Sequence, residues 1–86
     1  MPPDVPHIDA LKPNSGKAGA KIDIFGDYLF SPVKITFGAA ENTHQFKAHG
    51  DGASVTEVVV PAGSGTVEVI VHCQENSSNG LYFKYS

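Results

Sequence analysis

Val60-Pro61-Ala62-Gly63-Ser64-Gly65-Thr66-Val67-Glu68-Val69-Ile70-Val71 decides the fold. It reads as a strand end, a Pro/Gly turn, and a second strand in strict alternation. Proline cannot continue a sheet ladder, and glycine supplies the dihedral freedom of a reversal. The period of two after Gly65 places Val67, Val69 and Val71 on one face, with Glu68 and Ile70 on the other. The stretch is a hairpin-type signal and carries no catalytic chemistry. Gly63-Ser64-Gly65 is not a phosphate loop, because no lysine and no helix follow it.

The same reading extends outward along the chain. Pro6 to Leu11 is a first strand, whose inward residues Ile8 and Leu11 are oddly spaced and so imply a bulge. Lys12-Pro13-Asn14-Ser15-Gly16 turns the chain, and Gly19 punctuates again. Lys21 to Phe25 alternates with Ile22 and Ile24 inward, and Gly26-Asp27 is expected to break it. Tyr28-Leu29-Phe30 is a short apolar cluster in which Phe30 is expected to plug one end of the core. Val33 to Phe37 is a clean strand ended by Gly38. Residues 39–53 are the least regular, with an edge strand expected over Thr43 to Ala48. Val55 to Val60 has Val58 and Val60 inward, and Thr66 to Cys73 continues the stripe of Val67, Val69 and Val71. Glu75-Asn76-Ser77-Ser78-Asn79-Gly80 is a polar hairpin loop, with Asn79-Gly80 as its turn pair. Leu81 to Tyr85 closes the chain with Leu81, Phe83 and Tyr85 inward. Six or seven short strands at roughly ten-residue spacing, with no helical periodicity, indicate an all-β antiparallel sandwich.

Composition bounds the function. The 86 residues form one domain with a net charge of −3. Six lysines are dispersed and arginine is absent. Nucleic acid and anionic membrane surfaces call for a cationic face, and bidentate phosphate or guanine contacts favour arginine, so neither is an expected partner. No segment is long and apolar enough to insert in a membrane. A single cysteine, Cys73, precludes an intrachain disulfide and leaves the compartment open. Residues 1–5 read as a linker remnant and 6–86 as a domain from a larger multidomain protein. Such a chain leaves localisation unassigned, with a lean to the extracellular space or cell surface.

Residues from all parts of the chain resemble the IPT/TIG domain, an immunoglobulin-like fold of about seven strands. Pro6-x-Ile8-x-x-Leu11-x-Pro13-x-Ser15-Gly16-x-x-Gly19 resembles its opening strand and turn. Ile22-x-Ile24-x-Gly26-x-x-x-Phe30 resembles its second strand, and Val33-x-Ile35-x-Phe37-Gly38 its third. Val58-x-Val60-Pro61-Ala62-Gly63-x-Gly65-x-Val67-x-Val69-x-Val71, then Phe83-x-Tyr85, resembles its closing half. The resemblance implies a non-catalytic domain. Such domains serve surface proteins and receptors, dimerise or contact DNA in transcription factors, and accompany secreted carbohydrate-active enzymes.

Candidate chemistry is sparse. His7, His44, His49 and His72 with Cys73 lack metal-ligand spacing, and neighbouring His72 and Cys73 point to opposite faces of one strand. No cofactor or metal is expected. No activated nucleophile or carboxylate pair suggests an enzyme. Asn76-Ser77-Ser78 is a glycosylation sequon, or a chance tripeptide. Cys73 reads as a small buried hydrophobe. Phe25, Val59, Ile70 and Tyr82 fall on outward positions, either as scatter or as a partner surface. Ile70 and Tyr82 with Lys84 are the candidate protein-contact face, and 39–53 the candidate contact loop. The partner is a protein or a neighbouring domain, with self-association open. With no tryptophan, only Tyr28, Tyr82 or Phe25 could stack on a sugar, so direct glycan binding is not expected.

Overall fold

The computed structural model describes residues 5–74 and 76–86. Apart from Val5, the expected linker lies outside them, as does Glu75 of the expected hairpin loop. The chain is an immunoglobulin-like sandwich of two sheets. Its strands are β1 (His7–Lys12), β2 (Ser15–Gly16), β3 (Lys21–Asp27), β4 (Pro32–Phe37), β5 (Ala40–Asn42), β6 (Lys47–Ala48), β7 (Ser54–Val59), β8 (Thr66–Cys73) and β9 (Leu81–Tyr85). One sheet runs β1-β3-β7-β6 and the other β2-β9-β8-β4-β5. Strands exceed the expected seven because β2, β5 and β6 are short pieces of two or three residues. All pairings are antiparallel except β2 with β9, which is parallel. The first edge of the chain thus serves both sheets: β1 lies in one and β2 in the other.

The alternation of the sequence builds the core. Ile8, Leu11, Ile22, Ile24, Ile35, Phe37, Val55, Val58, Val60, Val69, Val71, Phe83 and Tyr85 are buried between the sheets. Phe37 and Phe83 meet edge to face at 5.7 Å between ring centroids, and Phe83 and Tyr85 at 5.3 Å. Such contacts add to area burial and fill the volume that tryptophan or a disulfide occupies in other sandwiches. Tyr85 donates its hydroxyl to Pro61 O at 2.7 Å, which satisfies the polar end of a buried ring.

Five expectations need correction. First, the decisive stretch is not a hairpin: β7 and β8 lie in different sheets, and Pro61–Gly65 crosses between them. Tyr85 holds this crossover through Pro61 O and through its own N–H to Gly65 O at 2.8 Å. Second, Gly26 does not end its strand. It is buried inside β3, opposite Ile8, where a Cβ would collide with the His7 carbonyl. The glycine is there for close backbone approach, a role that looks identical to a turn in sequence. Third, Leu29 and not Phe30 is the plug: Leu29 is fully buried, whereas Phe30 is 48% exposed. Fourth, the edge strand expected over 43–48 is only Lys47–Ala48, and Ala40–Asn42 pairs with β4 instead. Fifth, residues 76–79 do not form a plain polar hairpin loop. They fold back on the end of β8, where Val71 N donates to Ser78 Oγ at 3.0 Å and Cys73 N to Asn76 O at 2.8 Å.

Bulges account for positions that simple alternation misassigns. The irregularity expected between Ile8 and Leu11 is present at Ile8/Ala10. A second lies in β7, where Glu57 takes φ 51° and its N–H is received by Asp23 Oδ1 at 3.2 Å. It turns Val55 inward along with Val58. A third falls at Val33, between the pairs Pro32–Cys73 and Lys34–His72, and leaves that valine 45% exposed.

Candidate functional site

Ile70, Tyr82 and Lys84 share one side of the five-stranded sheet and point outward from it. Tyr82 lies opposite Glu68, Lys84 opposite Thr66, and Ile70 opposite Thr36. Ile70 and Tyr82 are therefore diagonal neighbours, a separation of about 7–8 Å in a sheet. Tyr82 is 69% exposed and Ile70 half-buried. Their surroundings are polar. Lys34 Nζ donates to Glu41 Oε1 at 2.7 Å, and this pairing holds the Glu41 carboxyl below its ordinary pKa. His72 hydrogen-bonds Thr36 Oγ1 at 3.1 Å and Ser77 Oγ at 2.9 Å.

Phe25 and Val59 belong to the other sheet. The four outward apolar residues thus divide between opposite faces and form no single patch. Lys12 Nζ further covers the Phe25 ring at 5.7 Å from its centroid.

Between its two short strands β5 and β6, the segment 39–53 is held largely by the side chain of Asn42. Asn42 is buried, and its Nδ2 donates to Gln45 O and Val59 O, both at 2.9 Å. Its Oδ1 accepts from Gln45 N at 2.7 Å. Local asparagine bonding of this kind replaces strand pairing and hides from periodicity. His44 and His49 do not join in a site: His44 bonds Thr43, and His49 Nε2 bonds Thr56 Oγ1 at 2.8 Å. Among the described residues, no three of His, Cys, Asp and Glu come together. Cys73 is partly buried against the core, and desolvation raises its thiol pKa, which lowers its thiolate fraction.

The most distinctive surface was not singled out by sequence reasoning. It is the end of the sandwich where Val5, Tyr28, Phe30 and Val33 are exposed. A cleft of about 260 Å³ opens there, lined by Pro6, Tyr28, Phe30, Ser31, Cys73, Gln74 and Asn76. Its floor is set by the β3–β4 connection. Leu29 is buried and its N–H donates to Gly52 O at 2.9 Å, so its neighbours Tyr28 and Phe30 are turned outward. Phe30 lies over Gly52, where a Cβ would come within 2.8 Å of the ring. Tyr28 and Ser31 hold φ of 57° and 51°, an uncommon conformation outside glycine. Asn76 of the sequon is exposed on the cleft rim, while Ser78 is buried. The structure alternates exposed-buried-exposed over 28–30, but no sequence signal marks it, because Tyr28, Leu29 and Phe30 are all hydrophobic.

Comparison with known proteins agrees with this architecture. The IPT/TIG domain family matches residues 6–85. Among curated proteins no sequence matches. The fold is similar to part of SGBP-B from a complex xyloglucan utilization locus in Bacteroides uniformis, with TM-score 0.77 and 15% identity. That similarity covers 92% of this chain and 22% of the other. It is also similar to part of a putative phosphatase from Bacteroides thetaiotaomicron, with TM-score 0.62, 24% identity, and coverage of 96% and 18%. The chain therefore spans about a fifth of the length of each of these structures. With the family's span running from the first strand to Tyr85, and both sheets in immunoglobulin-like order, this chain belongs to the IPT/TIG domain family.

Proposed function

We propose that this chain is a non-catalytic interaction or spacer module of a larger multidomain protein. One observation carries the reading: the chain enters and leaves at opposite ends of an elongated body. Pro6, next to Val5, lines one cleft with Tyr28, Phe30 and Ser31 of the β3–β4 connection. Tyr85 pairs with Gly16 next to the first residues of β8, at the far end. The principal extents are 41 × 19 × 19 Å. Such a module in series lengthens a protein by its long axis rather than folding it back. The small share of each similar structure that this fold occupies supports the same reading.

The test is an end-to-end distance measurement with probes placed at Val5 and Ser86 in a Cys73→Ser background. A single narrow distribution near the long dimension is expected. A broad or short one would remove the spacer reading. The interaction reading assigns the outer sheet face a protein contact through Ile70, Tyr82 and Lys84. Replacing Ile70 and Tyr82 by Ser is then expected to weaken self-association or partner capture, as read by sedimentation.

A second reading is an accessory domain of a carbohydrate-active protein. The similarity to a protein from a xyloglucan utilization locus favours it, as does the exposed pair Tyr28 and Phe30. Dimerisation with DNA contact, as in transcription factors, is a weaker alternative, because the chain is acidic overall and lacks arginine.

A further inference from the structure

We propose that Asn79-Gly80 is a site of spontaneous deamidation, and that the fold restrains the reaction by clamping the Asn79 carboxamide onto β1.

Deamidation of an asparagine needs no enzyme. The backbone nitrogen of the next residue attacks the side-chain Cγ, and a succinimide ring closes. The bond from Cγ to Nδ2 breaks, and Nδ2 leaves as ammonia with the proton of the attacking nitrogen. Water then opens the ring at either carbonyl, giving aspartate or isoaspartate. One water is consumed and one ammonia released. A following glycine favours the attack, because no side chain screens its nitrogen and its backbone is the most permissive. Asn14, Asn42 and Asn76 precede serine, threonine and serine, and only Asn79 precedes glycine.

The structure sets two conditions on this chemistry. Asn79 is exposed, so water reaches it. Its carboxamide is nevertheless held at both ends: Oδ1 accepts from Ile8 N at 2.7 Å, and Nδ2 donates to Ile8 O at 3.1 Å. The carbonyl that joins Asn79 to Gly80 accepts from Ser78 Oγ at 2.8 Å. Cγ turns toward Gly80 N only when both bonds to Ile8 break. Two hydrogen bonds of ordinary net strength restrain that opening by roughly tenfold.

Neither product restores the clamp. Aspartate puts a carboxylate oxygen where Nδ2 stood, so Ile8 O meets an acceptor instead of a donor. Isoaspartate carries the backbone through the former side chain and loses the reach to Ile8. In both cases Ile8 O is left without its donor at the sheet edge. The site is therefore slow while β1 is held, and β1 is loosened once the site has reacted.

The experiment incubates the intact chain in mildly alkaline buffer, once folded and once in guanidinium chloride, and follows each asparagine by peptide mass mapping. Conversion is expected at Asn79 ahead of the other asparagines, and about tenfold slower in the folded chain. In the aged folded chain, amide exchange at Ile8 is expected to quicken in step with conversion, while β8 keeps its protection. Gly80→Ala is the control. The side chain its Cβ would meet is that of Glu68, which is exposed and can swing aside, so the fold is kept. This variant is expected to convert several-fold more slowly and to keep Ile8 protected on ageing. Equal rates in buffer and denaturant overturn the proposal, as does a folded chain that never converts. Conversion led by another asparagine, or unchanged Ile8 exchange in the converted chain, overturns it as well.

Discussion

Tyr85 shows how much one side chain ties together here. Its ring packs on Phe83, its hydroxyl holds Pro61 O, and a Cβ at Gly63 would come within 2.8 Å of the ring. Tyr85→Phe keeps the ring and removes only the hydroxyl. A loss of about 1 kcal/mol is expected, read by urea denaturation. Burial raises the Tyr85 pKa. The folded state therefore favours the neutral phenol, so its contribution is complete below the ordinary tyrosine pKa. It declines as the pH rises above that value toward the higher folded one. The alkaline limb of the stability profile is expected to be shallower in Tyr85→Phe than in the parent. Gly26 makes the opposite demand, for no side chain at all. In Gly26→Ala the new Cβ would meet the His7 carbonyl and come within 2.8 Å of Ile8 Cα. A loss of about 2–3 kcal/mol is expected from overpacking against backbone, checked by thermal unfolding. The need for a small residue was visible in the sequence; its cause was not, since a turn glycine and a close-approach glycine are written alike.

Among the elements, β1 and the segment before β9 depend on each other. β1 is an edge strand, and its outer edge exposes backbone groups that would otherwise invite pairing. Asn79 takes one such position: Ile8 N donates to Asn79 Oδ1 at 2.7 Å, and Asn79 Nδ2 donates to Ile8 O at 3.1 Å. The carboxamide imitates a peptide unit of a further strand and links the two sheets. Asn79→Ala is expected to cost about 1–3 kcal/mol, because both Ile8 groups lose their partner. Faster amide exchange at Ile8 with unchanged exchange in β8 would localise the effect. By local pattern Asn79-Gly80 is a hairpin turn pair, which is the commoner use of that dipeptide. The partner at Ile8 lies 71 residues away, beyond the reach of any local pattern. At the other edge, β5 is tied to β4 by Lys34 and Glu41. A lowered Glu41 pKa contributes stability above the ordinary carboxylate pKa, and loses it as the pH falls through the lowered folded value. Both side chains are largely in water, so the contribution is small. Glu41→Gln and parent melting temperatures are expected to converge in acid.

The whole molecule was largely legible in outline. Alternation in Ile22/Ile24, Ile35/Phe37, Val67/Val69/Val71 and Phe83/Tyr85 depends on a pleat of period two, and glycine and proline mark the breaks in it. These local rules operate within a few residues, so the all-β class, most of the inward set and the family pattern follow from the amino-acid order alone. Which strand joins which sheet depends on pairings between distant segments. Only the tertiary structure decided that β7 and β8 part company after Val60, that β2 pairs in parallel with β9, and that bulges turn Val55 inward and Val33 outward. The cleft is the clearest case. Tyr28 and Phe30 come from one connection, Gln74 and Asn76 from another, and Pro6 from the chain's entry. The sequence holds every one of these residues, but a surface made from three separated segments exists only once the sheets have brought them together.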